Sequence, residues 1–249
     1  MSSPDRFLLA GVMGWPVMHS RSPMLHTWLM KQHGLLGTYV PLAIKPENLA
    51  AALRGLAPLG FSGCNITIPH KEQALTIVDH VDDVARRIGA VSCITVRPDG
   101  SLAATNNDAF GFVQNVLQRQ PSWRADAGPA VVIGAGGGAR AIVYALAQRG
   151  AKEIRVVNRT RARADALARE FGAGVGVVEW ADRGRALSDA AMLVQKKFFG
   201  TELFAGQIEG MVIQKNGAED AALRVEIVRQ GPLENRLGSH GCIRLIFAL

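Results

Sequence analysis

Ala130-Val131-Val132-Ile133-Gly134-Ala135-Gly136-Gly137-Gly138-Ala139 decides the architecture of this chain. Four apolar residues without polar alternation read as a strand buried on both faces, and the glycines lead into a helical pattern over residues 138–149. A second strand follows at 153–157 and a second helix at 160–171, with further strands at 174–178 and 190–194. Alternating βαβαβ with apolar strands predicts a right-handed, doubly wound parallel sheet. In that context Gly134, Gly136, Gly137, Gly138 and Ala139 form a phosphate loop. The glycines allow a tight turn and bring backbone N–H groups against a pyrophosphate, while the helix N-terminus adds favourable partial charge. The competing reading is a packing turn, which does not require strand, loop and helix in this order.

The end of the second strand selects the dinucleotide. A unit built for NAD places an acid there to bind the ribose hydroxyls, whereas this strand runs into Asn158-Arg159-Thr160-Arg161-Ala162-Arg163. Arg159 and Arg163 can grip a 2′-phosphate through charge-assisted bonds, and Thr160 can cap the helix and add a hydroxyl. NADP is the expected cofactor.

Charge points the same way. The 249 residues carry a formal net charge of +7, and between Arg119 and Arg169 ten basic residues face three acidic ones, which accounts for the whole excess. That stretch holds the glycine loop and almost no aromatics for base stacking, so a phosphorylated small molecule fits better than nucleic acid. With 48% hydrophobic residues the chain can form two modest cores. No apolar run is long enough to span a membrane, and the N-terminus lacks the layout of a signal peptide. Cys64, Cys93 and Cys242 form no CxxC pair and the histidines are scattered, so no metal site is expected and a reducing cytoplasm is.

Upstream, strands are expected at 7–13, 38–44, 63–68, 91–97 and 101–105, and helices at 23–33, 46–56, 71–78 and 108–118. Pro98-Asp99-Gly100 marks a hairpin turn, and residues 120–129, with two prolines and a glycine, read as a linker. The fold class is therefore α/β throughout: a substrate-binding catalytic domain over 1–119, then a Rossmann-like cofactor domain over 120–249.

Two segments in the first domain present ionisable groups. Gly63-Cys64-Asn65-Ile66-Thr67-Ile68-Pro69-His70-Lys71 places a lysine after a strand, and Thr105-Asn106-Asn107-Asp108 places a carboxylate after another. A lysine and a carboxylate within reach of one hydroxyl can move its proton either way. An ordinary surface ion pair is the alternative. In His19-Ser20-Arg21-Ser22-Pro23, Ser20 and Ser22 stand at a helix start, where hydroxyls and free N–H groups can hold a carboxylate. Helix capping accounts for one of them.

Together these segments resemble the shikimate dehydrogenase family, from about residue 7 to Val194. The resemblance rests on HSxSP with Ser20 and Ser22, on NxTxPxK with Asn65, Thr67 and Lys71, on Asn106 and Asp108 of an NTD-like segment, on the glycine loop, and on the segment from Asn158 to Thr160. It implies a soluble NADP-dependent oxidoreductase that interconverts 3-dehydroshikimate and shikimate in aromatic amino-acid biosynthesis. Ser20 and Ser22 would hold the substrate carboxylate, Asn65, Thr67, Ser92 and Asn106 would bind substrate, and Lys71 and Asp108 would assist proton transfer. Gly89-Ala90-Val91-Ser92-Cys93 departs from the family's Gly-Ala-x-Asn-Thr, so a substrate-binding amide becomes a shorter hydroxyl, and Asn107 replaces a threonine.

After Val194 the family's Asn-Thr-Thr segment and glutamine-bearing helix are missing; Gly210-Met211 and Gln214 lack the right spacing. A relative that binds shikimate and nucleotide without closing its site is the second reading. A third rests on Gly238-Ser239-His240-Gly241-Cys242, which resembles the nucleophile motif of L,D-transpeptidases but lacks that family's upstream strand and β domain.

Overall fold

The computed structural model describes residues 7–196, 210–214 and 224–227. It divides into two compact units, Met1–Asn107 and Asp108–Leu249.

In the first unit β1 (Leu8–Gly14) leads to α1 (Ser22–Gln32) and β2 (Gly37–Ala43). A 3₁₀ turn over Pro46–Asn48 and α2 (Leu49–Gly55) follow, then β3 (Phe61–Ile66), β4 (His80–Val81), α3 (Asp83–Ile88), β5 (Cys93–Val96) and β6 (Leu102–Thr105). The six strands form one mixed sheet in the order β2-β1-β3-β5-β6-β4. β1 pairs in parallel with both β2 and β3, and β5 runs antiparallel to β3 and β6.

Strand alternation separates the two faces of this sheet. Met13, Cys64, Ile66, Ile94 and Ala104 enter a core with Leu49, Leu53 and Leu56 of the α2 region. On the other face Val12 and Tyr39 meet Val17, with Met30 of α1 packed beside them. The register Val12↔Asn65↔Cys93↔Thr105 puts those four side chains on that second face. At the end of β1 space is tight: a Cβ on Gly14 would lie 2.5 Å from Cγ2 of Thr67.

Two local expectations change. The helix expected over 71–78 is a turn followed by a 3₁₀ segment, Gln73–Thr76. Pairing with β6 overrides helix propensity here, because Asp79 N donates to Leu102 O at 3.1 Å while the Asp79 carboxylate accepts from Leu102 N at 2.8 Å. α3 was not anticipated although its signals are present: the Asp82 side chain accepts from Ala85 N at 2.6 Å, and Gly89 closes the helix at φ 71°.

The second unit opens with α4 (Asp108–Arg119), an amphipathic helix that packs on α5. β7 (Ala130–Ile133), α5 (Gly137–Gln148), β8 (Ile154–Val157), α6 (Arg161–Phe171), β9 (Val175–Val178), α7 (Arg183–Ala186) and β10 (Met192–Lys196) follow in turn, with β11 (Gly210–Gln214) and β12 (Arg224–Ile227) beyond. The sheet order is β12-β11-β10-β7-β8-β9, with β10, β7, β8 and β9 mutually parallel as the apolar strands implied. β11 and β12 add antiparallel strands next to β10. The switch in strand order between β8-β7 and β7-β10 lies beside the glycine loop, where open sheets of this class bind ligands. Among the described residues no helix is long and apolar enough to cross a membrane.

His26 of α1 is buried against Tyr39, with ring centroids 4.3 Å apart at 20°. Burial lowers its pKa from 6.5 to about 4. Above pH 6.5 both folded and unfolded chains hold it neutral; as pH falls from 6.5 towards 4 only the unfolded chain takes up the proton, so its contribution to stability is lost across that window. The melting temperature is therefore expected to drop between pH 7 and pH 4.5 by less in His26→Phe, which keeps a stacked ring; equal drops in both proteins would refute this.

Candidate active site

The candidate substrate residues of the first unit lie by the ends of β1, β3 and β6 and the start of β5. Ser92 joins them. Its carbonyl oxygen accepts from Ile66 N at 2.9 Å and from Asn65 Nδ2 at 3.2 Å, and its own N–H donates to Thr105 O at 2.9 Å. Its hydroxyl oxygen accepts from Asn107 N at 2.9 Å. Ser92 thus holds β3, β5 and the chain leaving β6 in one arrangement, and its single hydroxyl proton can still be donated. Asn106 donates through Nδ2 to Ala90 O at 2.8 Å, and Val91 N donates to Lys71 O at 2.9 Å, so the segments carrying Asn65, Lys71, Ser92 and Asn106 lie side by side.

Lys71 is 6% exposed and Asp108, at the first position of α4, is 2% exposed. Neither is a surface charge, which removes the reading of an ordinary exposed ion pair. Lys71 sits in the turn after β3 rather than on a helix. Thr67 is half-buried, its N–H bonded to Met13 O at 2.9 Å. At the start of α1, Ser22 N donates to Ser20 Oγ at 3.3 Å. Ser20 therefore serves the helix entry, while the hydroxyl of Ser22, half-buried, makes no hydrogen bond with the described residues.

Sequence reasoning missed Tyr39, whose hydroxyl donates to Asn65 Oδ1 at 2.5 Å. A lone tyrosine in an otherwise apolar strand was the available signal, since a buried phenol needs a partner. His70 was also missed: fully buried, it turns Nε2 to Ile44 O at 2.8 Å beneath Lys71's turn. Burial raises the pKa of Cys93 to about 11 and pushes that of Cys64 higher still, so both are inert thiols rather than nucleophiles.

In the second unit Gly134 adopts φ 126°, a conformation that favours glycine, and its N–H donates to Val157 O at 2.8 Å. Gly136 takes the N-cap position of α5, where no side chain caps the helix and no acid occupies the first turn. Gly137, Gly138 and Ala139 thus present the opening turn of a twelve-residue helix to an anion. At the end of β8, Asn158 Nδ2 donates to Thr160 O at 2.8 Å, shaping the turn into α6. Thr160 occupies the N-cap of α6 but makes no side-chain capping bond, contrary to expectation; the helix entry is held instead through its carbonyl, which also accepts from Arg163 N at 3.1 Å.

Much of the basic excess is answered internally. Arg124 pairs with Asp126 at 2.8 Å, Arg140 with Glu170, Arg155 with Glu153 at 2.6 Å and Asp189 at 2.5 Å, and Arg161 with Asp165 at 3.1 Å and with Glu179. Arg159 is exposed and pairs with no described residue. An open helix start after β7, with an unpaired arginine and no acid at the end of β8, fits a dinucleotide carrying a 2′-phosphate.

Cys242 lies outside the described residues. Gly210, Met211 and Gln214 fall in β11.

Comparison with known proteins places both halves. The profile "Shikimate dehydrogenase substrate binding domain" matches residues 12–94, and "Shikimate / quinate 5-dehydrogenase" matches residues 117–196. A shikimate dehydrogenase (NADP(+)) of Paramagnetospirillum magneticum is 52% identical over 192 residues, covering 77% of this chain and 70% of that protein. The Rhodospirillum rubrum protein of the same name is 45% identical over 233 residues, covering 92% of this chain and 81% of its own. That span is too long to end at Val194, so the likeness continues past the point where the family's motifs lapse. The crystal structure of shikimate dehydrogenase from Aquifex aeolicus superposes with a TM-score of 0.64 at 35% identity, over 69% of this chain and 62% of that one, so the chain spans less than two thirds of it. With matches in both halves at these identities, the chain belongs to the shikimate dehydrogenase family.

Proposed function

We propose that the chain interconverts 3-dehydroshikimate and shikimate with NADP, acting in the cytoplasm, with substrate bound by residues 1–119 and cofactor by residues 120–249. The observation that carries this reading is a lysine only 6% exposed, in a unit where Asn65, Ser92 and Asn106 are buried as well. Burying an ammonium is costly, and a site that must protonate and deprotonate an alcohol is a reason to retain one.

Oxidising a secondary alcohol removes a hydride from carbon and a proton from oxygen. NADP, when bound, supplies the hydride acceptor. Lys71 takes the proton from the hydroxyl oxygen and returns it in the reverse direction, and Asp108 assists this transfer. Ser20 and Ser22 orient the substrate through its carboxylate, while Asn65, Thr67, Ser92 and Asn106 meet its hydroxyls. Gly134, Gly136, Gly137, Gly138 and Ala139 receive the pyrophosphate, and Asn158, Arg159, Thr160 and Arg163 the adenosine end, with Arg159 providing most of the preference for a 2′-phosphate.

Absorbance at 340 nm is expected to rise with shikimate and NADP, and far less with quinate or with NAD. Cofactor binding without NADPH formation would overturn the proposal in favour of a silent binding relative. Lys71→Ala is expected to lower kcat by about a hundredfold or more, the usual worth of a positioned acid–base group; a kcat within a few-fold of the parent would remove Lys71 from the chemistry. Arg159→Gln is expected to raise KM for NADP by about tenfold or more while leaving NAD kinetics unchanged, since it removes one charge-assisted contact. An equal loss with both dinucleotides would assign Arg159 a structural role.

A further inference from the structure

We propose that Tyr39 is a positioning residue that fixes which end of the Asn65 amide faces the substrate, making Asn65 a hydrogen-bond donor to a substrate hydroxyl. The inference rests on the substrate reading above and extends it to a residue no sequence motif marks.

The two ends of an asparagine amide are alike in shape and opposite in hydrogen-bonding character, so a binding site must decide between them. Here the choice is made twice. Asn65 sits 3.2 Å from the carbonyl oxygen of Ser92, which can only accept, so the NH₂ group must stand on that side. The oxygen then faces Tyr39, whose hydroxyl lies 2.5 Å away and must donate. Both partners are buried, Tyr39 at 5% exposure and Asn65 at 7%. Burial and the neighbouring thiols of Cys64 and Cys93 push the Tyr39 phenol above its ordinary range, so it remains a donor throughout the working pH range.

Tyr39 is itself held. Its ring stacks on His26, four residues after Ser22 on α1, and its hydroxyl reaches across β1 from β2 to β3. The helix that begins at Ser22 is thereby linked to the amide of Asn65. With one N–H given to Ser92, the second N–H of Asn65 is the donor left for ligand.

The test is steady-state kinetics on Tyr39→Phe, Asn65→Ala and the double variant. Tyr39→Phe keeps the stacked ring and removes only the donor. It is expected to raise KM for shikimate about fivefold, the worth of one neutral hydrogen bond, with kcat within about twofold and KM for NADP unchanged. In the Asn65→Ala background the same change is expected to have no further effect on KM, because Tyr39 acts through Asn65. An unchanged KM in the single variant, or an equal rise in both backgrounds, overturns the proposal.

Should Tyr39→Phe not fold, a second arm decides. Tyr39 and Tyr144 are the two tyrosines of the chain, so 3-fluorotyrosine in a Tyr144→Phe protein alters the donor strength of Tyr39 alone. A changed KM for shikimate at constant KM for NADP supports the proposal, and no change overturns it. The parent enzyme's turnover of shikimate, measured in the same assay, tells failure of this inference apart from failure of the functional reading.

Discussion

Four hydrogen bonds to one residue, Ser92, determine where the candidate substrate-binding groups of the first unit can stand. Its carbonyl oxygen, N–H and hydroxyl oxygen are all spent on chain from β3, β6 and the segment after β6. Strand ends ordinarily leave unpaired backbone groups that water must satisfy. Here they are satisfied by a single buried side chain and its peptide, so Asn65, Lys71 and Asn106 share a fixed frame instead of hanging from separate loops. A serine suits this task because a short hydroxyl can accept from the Asn107 N–H while Ser92 stays 3% exposed. The serine at this position thus braces the chain that leads into Asp108 and keeps its hydroxyl proton free to donate.

The second unit solves a different problem with backbone alone. An anion needs donors that cost nothing to orient, and a helix start without a side-chain cap supplies them. Gly134 at φ 126° and Gly136 at the N-cap keep side chains off that helix start. At the end of β8 Arg159 stands exposed, whereas Arg124, Arg140, Arg155 and Arg161 of the same basic segment are tied to carboxylates. Net charge alone could not have separated the arginines tied to carboxylates from Arg159, and only the separation makes the charge informative.

The doubly wound unit was legible because its strands are apolar on both faces, its loop is marked by glycine and its elements alternate; each signal is local. The mixed sheet of the first unit was legible strand by strand but not in its helices. Residues 71–78 carry a helical pattern, yet Asp79 pairs with Leu102, a contact no local window contains. The candidate site residues that belong to motifs could be named from the sequence. Tyr39 was not, because its importance arises from a strand order that places β1 between β2 and β3 and lets a phenol span the gap.

The face that carries Asn65 also shows how a site keeps its acid–base chemistry in few hands. Burial lowers the pKa of His26 to about 4, raises that of Cys93 to about 11 and pushes Tyr39 higher still, as it does Cys64 on the opposite face of the sheet, each away from neutrality. All four are uncharged over the range in which an alcohol dehydrogenation of this kind would run. A histidine with a pKa near neutrality or a thiolate beside the substrate would otherwise compete for the proton released from its hydroxyl. By holding these groups silent, burial turns them into fixed dipoles and packing surfaces whose arrangement does not vary as the substrate ionises. Orientation is then supplied by neutral hydrogen bonds, and proton transfer is left to groups that can afford to change charge.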